Sequence, residues 1–539
     1  MQTARRIVVN QIGYPADGEK KAIFWDEGEF EVVDAETGAA VFRGATAAPR
    51  TDGASGDSVA AGDFTPLDTP GRYYIRHVRT GDRSATFAIG PAPYEDVHRG
   101  LLKAFYFFRC GTELTEPYAG PWTHKACHLS EGIVYGEPSR RLDGRGGWHD
   151  AGDYGKYTVP AAKAVADLLL AHEWFPDAFR KPLPLPETDG RMPDVLHECR
   201  WELEFLLKMQ DPATGGAFHK LTTKRFPPLD RKPEDDLDDL YFLPVSPTAT
   251  GCLAAVTAMA SRAYRPYDAA FADRCLASAR RAWAWLAANP DAPNFKNPEN
   301  VHTGEYGDDC HDDERFWAAA ELFRATGEAR YRDEMKRLAG RPFSKTALGW
   351  ADVGGYGTIA CLLHDEAGIG PDLRDTLLAE WKSGADRILR TADASGFAVA
   401  LETGDYIWGS NMLVMNNAMH LLIAGRLFGD PAYEKTALDQ VHYLLGRNAL
   451  DLSFVTGFGD RAVQNPHYRP GVADGVADPV PGFVAGGPNA RLQDDVARQS
   501  LAGLPPARCF IDHRDSYSTN EVAIYWNSPA VFVLSRWSA

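Results

Sequence analysis

The sequence predicts a mostly helical chain headed by a small β-sandwich, and three observations carry that expectation. The first ninety residues alternate or cluster β-formers between Gly-, Asp- and Pro-rich turns. Beyond them the apolar period changes to that of helices. The helical stretches are also rich in Ala and other small residues, which permits close helix-on-helix packing. The expected strands are Ile7-Val8-Val9, Lys21-Ala22-Ile23-Phe24-Trp25, Phe30-Glu31-Val32-Val33, Tyr73-Tyr74-Ile75-Arg76 and Ala85-Thr86-Phe87-Ala88, a spacing that suggests a sandwich of roughly seven strands. Gly90-Pro91-Ala92-Pro93 interrupts the pattern, and the domain boundary is expected there, dividing residues 1–90 from 91–539.

Three helical stripes stand out past that boundary. Val195, Leu196, Cys199, Leu203, Leu206 and Leu207 form the first. Phe316, Ala319, Ala320 and Phe323 form the second, and Leu377, Leu378, Trp381, Ala385, Ile388 and Leu389 the third. Similar stretches start near Tyr94, Thr158, Thr248, Ala272, Met412, Tyr433 and Glu521. Long Gly/Pro/Asp loops join them, and long structured loops on a rigid scaffold usually carry function.

Composition narrows the function classes. The 539 residues are 44% hydrophobic and 24% charged, which is ordinary for a globular chain and argues against disorder or a coiled coil. The net charge is −17, and no run of Lys and Arg offers the basic patch that a nucleic acid requires. An uncharged or weakly charged substrate fits this balance better. No apolar run approaches the ~20 residues needed to cross a bilayer. The opening Met1-Gln2-Thr3-Ala4-Arg5-Arg6 has no apolar h-region, so the expected location is the cytoplasm, the alternative being secretion with the signal absent from this sequence. The eight cysteines lack the spacing of a disulfide framework, so reduced thiols are expected and any close Cys/His set reads as a metal site.

Chemistry concentrates in three segments. Gly146-Gly147-Trp148-His149-Asp150-Ala151-Gly152-Asp153-Tyr154 sets two carboxylates three apart around Ala-Gly, so a tight turn can aim both at one water and make a general base. An Asp-rich helix cap with turn glycines is the plainer reading of the same residues. In Tyr517-Ser518-Thr519-Asn520-Glu521-Val522-Ala523-Ile524-Tyr525-Trp526, Glu521 stands at the head of an aromatic-rich helix, where partial desolvation would suit an acid. A capping glutamate reads equally well. Asn465-Pro466-His467-Tyr468-Arg469-Pro470 offers donors and an aromatic plane on a Pro-bounded loop, as a sugar subsite or a solvated turn would.

In this order these segments resemble the family-nine glycoside hydrolases, in the subgroup with an N-terminal immunoglobulin-like module. Asn10-Gln11-Ile12-Gly13-Tyr14-Pro15 is similar to the module's opening signature. The resemblance covers nearly the whole chain and implies an (α/α)6 barrel that inverts the anomeric centre of β-1,4-glucans. It implies Asp153 as general base, Asp150 as its partner in holding water, and Glu521 as general acid. An inverting site needs roughly 6.5–9.5 Å between its two carboxyl groups, so the barrel rather than local sequence must set that gap. His467 and Arg469 would hydrogen-bond the sugar. Trp526 would pack near the acid, and Trp350 and Trp408 would stack on other rings or belong to the core. The family loop usually reads His-His-Arg-Pro-Ser; here it is His467-Tyr468-Arg469-Pro470-Gly471, a change that bears on substrate preference.

Two metal sites are expected. Cys110, Cys127, His128 and His149 form a Cys2His2 set suited to tetrahedral, structural zinc, and the resemblance supports the Cys and Cys-His positions. His124 is the rival for the fourth place; His149 is preferred because it would brace the loop bearing Asp150. The acidic run 305–314 favours calcium, for which the family pattern points to Asp309, Asp312, Asp313 and Asp352. A second acidic run, Glu234 to Asp239, reads as a solvated surface loop. The expected activity is an inverting endo-β-1,4-glucanase acting on soluble or amorphous cellulose and mixed-linkage β-glucan. The alternatives are an exo-acting cellodextrinase or exo-β-glucosaminidase of the same family and, from another class, a non-catalytic carbohydrate-binding protein. The partner in each case is a β-1,4-linked glucan or oligosaccharide, with neither nucleic acid nor membrane.

Overall fold

The computed structural model describes residues 5–363 and 366–539, so Met1 to Ala4 of the opening segment lie outside the described residues. Contacts divide the chain into two compact units: Met1–Ala104 with Ala385–His467 and Ala477–Ala539, and Phe105–Gly384 with Tyr468–Val476. Among the described residues no helix is long and apolar enough to cross a membrane.

Among the described residues the first unit opens with nine strands: β1 (Ile7–Val8), β2 (Gly13–Pro15), β3 (Lys21–Phe24), β4 (Glu29–Asp34), β5 (Ala40–Ala45), β6 (Arg50–Thr51), β7 (Ser58–Asp63), β8 (Gly71–His77) and β9 (Phe87–Gly90). They form two sheets, ordered β1-β3-β7-β6 and β2-β9-β8-β4-β5. The period of two does the sorting, since Tyr73, Ile75 and His77 of β8 turn inward while their neighbours are more exposed. Tyr14, Phe24, Phe30, Val32, Phe64 and Phe87 fill the core. Five strands lie where β-formers cluster. The other four, β2, β5, β6 and β7, are short or Gly-, Ala- and Arg-containing and carry little pattern of their own, which is why the expected number fell short.

Within this unit the sandwich is joined to the helix Pro431–Leu444 by a buried polar knot. Asn10 Nδ2 lies 3.0 Å from His442 Nδ1 and donates to the Tyr94 hydroxyl at 3.1 Å, and that hydroxyl donates to the Gly13 carbonyl at 2.9 Å. The motif-like opening Asn10-Gln11 therefore serves attachment: Gln11 Nε2 also donates to the Asp451 carbonyl at 3.1 Å. Helices Ser410–Phe428 and Ile524–Ser535 pack beside one another. The second is buried all round, and its one amide, Asn527, is satisfied by the Val484 N–H and the Gly482 carbonyl.

The second unit holds the helices Thr158–Trp174, Asp194–Lys208, Pro247–Ala263, Ala269–Ala288, Asp312–Thr326 and Gly354–Leu362. Two of the three expected stripes sit here on helix faces, while the third falls on Pro371–Ala394 with Leu377, Trp381, Ala385 and Ile388 buried. Ser246 caps Pro247–Ala263 by accepting from the Ala249 N–H. Close approach explains Gly251 on the same helix, since a Cβ there would stand 2.5 Å from Glu314. A five-stranded sheet that sequence periodicity does not announce also lies in this unit: β10 (Gly132–Val134), β11 (Glu137–Leu142), β12 (Lys156–Tyr157), β13 (Lys220–Thr222) and β14 (Tyr241–Phe242), ordered β11-β10-β14-β13-β12. β12 and β13 are antiparallel, with Tyr157 opposite Lys220.

Candidate active site

In the second unit the aspartate turn leads into β12. Gly146 and Gly147 adopt φ of +91° and +75°, and a Cβ on Gly147 would meet Phe205 at 2.6 Å, so glycine is required on both conformational and steric grounds. The Asp150 N–H donates to the Gly155 carbonyl at 2.9 Å, closing the turn. Asp150 and Asp153 are 1% and 7% exposed. Each accepts from a phenol: Tyr306 donates to Asp150 Oδ2 at 2.5 Å, and Tyr157 donates to Asp153 Oδ2 at 3.2 Å. Asp153 Oδ2 also accepts the Gly155 N–H at 2.9 Å. Burial pushes the Asp153 carboxyl above the usual aspartate range, against the opposing charge of Arg469 and the hydrogen bonds it receives. Burial likewise raises the Tyr157 phenol, which keeps it a donor.

Arg469 is buried and spends its guanidinium on backbone: Nη1 donates to the Gly152 carbonyl at 2.8 Å and Nε to the Pro227 carbonyl at 3.0 Å. It therefore clamps the turn between the two aspartates. Tyr306 has φ +47°, rare for a bulky residue and a local strain of about 1–3 kcal/mol that its surroundings must sustain. Its ring lies 4.8 Å from that of Tyr157 and 4.9 Å from the half-buried Trp350, which meets it edge-on. Asp150, Asp153, Arg469 and Trp350 thus share one environment. Tyr157 and Tyr306 are the members that sequence reasoning did not name; the first adjoins the motif, and the second is hidden in the acidic run.

In the first unit Glu521 lies in an extended break (φ −66°, ψ 162°) between the short helix Tyr517–Asn520 and the helix that begins at Ile524, rather than on that helix itself. The break forms a parallel bridge with His467. The His467 N–H donates to the Asn520 carbonyl at 2.8 Å, and the Gly486 N–H donates to the Glu521 carbonyl at 2.8 Å. His467 Nδ1 is 2.6 Å from the Arg514 carbonyl, which makes Nδ1 the protonated nitrogen. Asp494 caps Tyr517–Asn520 through the N–H and hydroxyl of Ser518. Trp408, 38% exposed, lies 5.3 Å from the ring of Tyr517, which is itself 5.9 Å from His467. Trp526 is 2% exposed, its indole pressed against Gly409 and Gly486. Because the Gly486 N–H donates to the Glu521 carbonyl, the indole packs beside the Glu521 segment and offers no face to a sugar.

Two groups in the second unit could hold metal ions. The ligand atoms of Cys110, Cys127, His128 and His149 all lie within 4.8 Å of one another and are buried. His149 Nε2 stands 3.3 Å from His128 Nδ1, which is 3.8 Å from Cys110 Sγ. Burial pushes His149 down to about 4, the neutral form that a metal ligand needs. His124 is outside the group, its Nδ1 committed to the Lys125 carbonyl at 2.8 Å. His128 Nε2 meets Asp236 Oδ2 at 3.2 Å. The run 234–239 is mostly exposed, as a solvated loop would be, but Asp236 is 3% exposed and turns its carboxylate inward to that histidine.

The second group is Asp308, Asp313 and Glu314, again within 4.8 Å. Burial and neighbouring carboxylates push Asp308 up to about 6 and raise Glu314. Both Glu314 oxygens, Asp308 Oδ2 and Asp313 Oδ1 are buried without hydrogen-bond partners, as a cation site would leave them. This grouping differs from the expected one. The Asp309 side chain is 98% exposed and 3.7 Å from Lys296, and Asp312 bonds Arg341 at 2.9 Å. Asp352 is exposed, with its pKa raised by partial desolvation and by the charge of Asp313. The turn into the helix at Asp312 sends Asp308, Asp313 and Glu314 inward and Asp309 and Asp312 outward, a sorting that spacing alone does not give.

The profile of glycosyl hydrolase family 9 matches residues 94–534, and that of the cellulase N-terminal ig-like domain matches residues 2–81. The chain belongs to glycosyl hydrolase family 9. It is 39% identical to a cellodextrinase of Butyrivibrio fibrisolvens, over 98% of this chain and 99% of that protein. A single mutant of the thermostable endoglucanase from Alicyclobacillus acidocaldarius is 44% identical and superposes with a TM-score of 0.94 over 99% of each chain. A zinc-binding triple mutant of the family 9 endoglucanase J30 is 34% identical, with a TM-score of 0.91 over 98% of this chain and 100% of that one. The fold class expected of this family 9 chain, mostly α with an (α/α)6-barrel catalytic domain behind an immunoglobulin-like sandwich, is the class of these matches.

Proposed function

We propose that this family 9 chain is an inverting endo-β-1,4-glucanase acting on soluble or amorphous cellulose and mixed-linkage β-glucan. The observation that carries the reading is the aspartate turn, where two buried carboxylates each accept a phenolic O–H. In the reaction Asp153 takes a proton from water, Asp150 holds that water, and its oxygen attacks C1 on the face opposite the leaving group. Glu521 delivers its proton to the glycosidic oxygen as the C1–O bond breaks. Solvent exchange then returns a proton to Glu521 and removes one from Asp153. The inverting route requires roughly 6.5–9.5 Å between base and acid, so that one water fits beneath the sugar. Trp350 and Trp408 supply aromatic faces for neighbouring sugar rings, and His467 a hydrogen-bonding edge. Arg469 supports the base by clamping the Gly152 carbonyl. Residues 1–90 are assigned to the module and 91–539 to the catalytic domain, in keeping with the matches at 2–81 and 94–534.

Product analysis tests this reading. Cello-oligosaccharides and lichenan should be cut at internal bonds, with the α-anomer as first product. One-unit shortening would replace it with an exo-acting cellodextrinase, and a β-configured first product would end the inverting mechanism.

Cys110, Cys127, His128 and His149 are assigned to zinc, because two thiols and two imidazoles form a closed tetrahedral donor set that braces structure rather than doing chemistry. Asp308, Asp313 and Glu314, with Asp352 nearby, are assigned to calcium, whose hard charge suits clustered carboxylates. Stripping metal with a chelator should lower Tm by about 5 °C or more, because ions bound only to the folded state add to its stability. Element analysis paired with calorimetry checks this. A metal-free sample that melts at the same temperature overturns the assignment.

A further inference from the structure

We propose that Lys220 is a positioning residue for the aspartate turn: from β13 its ammonium ties down the segment that aims Tyr306 at Asp150, and it faces the ring of Tyr157, whose hydroxyl serves Asp153. The inference rests on the reading of Asp153 and Asp150 as the pair that activates water.

Lys220 is fully buried. Its Nζ donates to Asn297 Oδ1 at 2.7 Å, Thr303 Oγ1 at 3.0 Å and the Gly304 carbonyl at 2.6 Å, with the Thr303 carbonyl further off at 3.4 Å. Three close acceptors match the three protons of an ammonium. Burial pushes this amine down to about 7, against the charges of Asp153 and Glu305, so holding it here is an expensive way to secure a loop, and an apolar contact would suffice if only stability were at stake. What distinguishes this cation is where its bonds lead. Gly304 and Thr303 directly precede Glu305 and Tyr306, and Tyr306 keeps its φ of +47° while donating to Asp150 at 2.5 Å. The His219 ring, on the adjacent residue, holds the Glu305 carbonyl at 3.0 Å and completes the grip on that turn. On its other side Nζ lies 5.5 Å from the centroid of Tyr157, its cross-strand partner. One ammonium thus organises both phenols. Misplacing a catalytic group by ~1 Å can cost ~10²-fold in rate, which is the scale of effect a loosened Tyr306 would produce.

The test compares Lys220→Met, Tyr306→Phe and the double variant on cellotetraose, alongside Asp153→Asn. Lys220→Met should lower kcat by roughly 10–100-fold while KM shifts less than about 3-fold. The double variant should be no slower than the slower single one, because Lys220→Met already forfeits the placement of Tyr306 against Asp150. If Lys220→Met keeps wild-type kcat per folded molecule, or if its loss multiplies with that of Tyr306→Phe, the inference is wrong and the lysine is only a structural strut. Should Lys220→Met fail to fold, Asn297→Ala removes one acceptor and leaves the cation: a kcat loss at steady KM supports the inference, and an unchanged kcat overturns it. Asp153→Asn separates the two levels, since wild-type activity in that variant removes the base reading itself.

Discussion

Glu521→Gln is expected to lower kcat on cellotetraose by roughly 10²–10⁴-fold, the usual worth of a positioned general acid. The amide is isosteric with the carboxyl, and the backbone contacts around Glu521 are kept. The Gly486 N–H still reaches the 521 carbonyl, and His467 still bonds the Asn520 carbonyl. Stability should therefore stay within about 1 kcal/mol of wild type, as for a substitution that creates neither a cavity nor a lost cap. What disappears is the proton for the leaving oxygen. A glucoside whose aryl leaving group departs without protonation should recover most of its rate in this variant. Measuring both substrates checks the role: an equal loss on the aryl glucoside, or no loss on cellotetraose, removes Glu521 from the position of acid.

Asp153→Asn is expected to be as damaging, roughly 10²–10⁴-fold in kcat, but with the opposite response to leaving group. Without a base the attacking water stays neutral whatever departs, so the aryl glucoside should be slow as well. The amide oxygen can still accept from the Gly155 N–H and Tyr157 hydroxyl that Asp153 Oδ2 accepts from, so the turn should persist. The same carboxyl sets a pH dependence in the wild-type enzyme. A base works only when ionised, and burial raises the Asp153 pKa above the ordinary 3.8. Rate should therefore be full above that raised value and fall as pH drops through it. The acid limb of kcat/KM is thus expected above the ordinary aspartate range in wild type and should vanish with Asp153→Asn. A limb at or below the ordinary 3.8 in the wild type, or one that survives the substitution, would remove Asp153 from this role.

Much of this architecture is legible because its signals are local. Period two in β8 and the stripes on Asp194–Lys208 and Asp312–Thr326 arise within single elements, and those elements occur where the pattern falls. The pair Asp150 and Asp153 and its flanking glycines are a turn's own chemistry, readable in a few residues. The strands β2, β5, β6 and β7 were harder, since strands of few residues or mixed polarity acquire their identity from partners. The metal residues divide the same way. Cysteine and histidine declare their chemistry by type, whereas in the run 305–314 every residue that could be a ligand looks alike until the backbone decides which carboxylates are buried.

By itself the sequence determined the helical stripes, the sandwich core, the paired carboxylates and the thiol–imidazole set, because each depends on residue type at short spacing. Only the tertiary structure decided that Tyr306 serves Asp150 from 156 residues away, that Asp236 meets His128 across 108, and that Lys220 faces Tyr157 through strands of three and two residues. The physical reason is that such contacts carry no periodic signal. Strands this short are not stable alone, and a left-handed tyrosine is unfavourable alone; both exist because the packed surroundings select them.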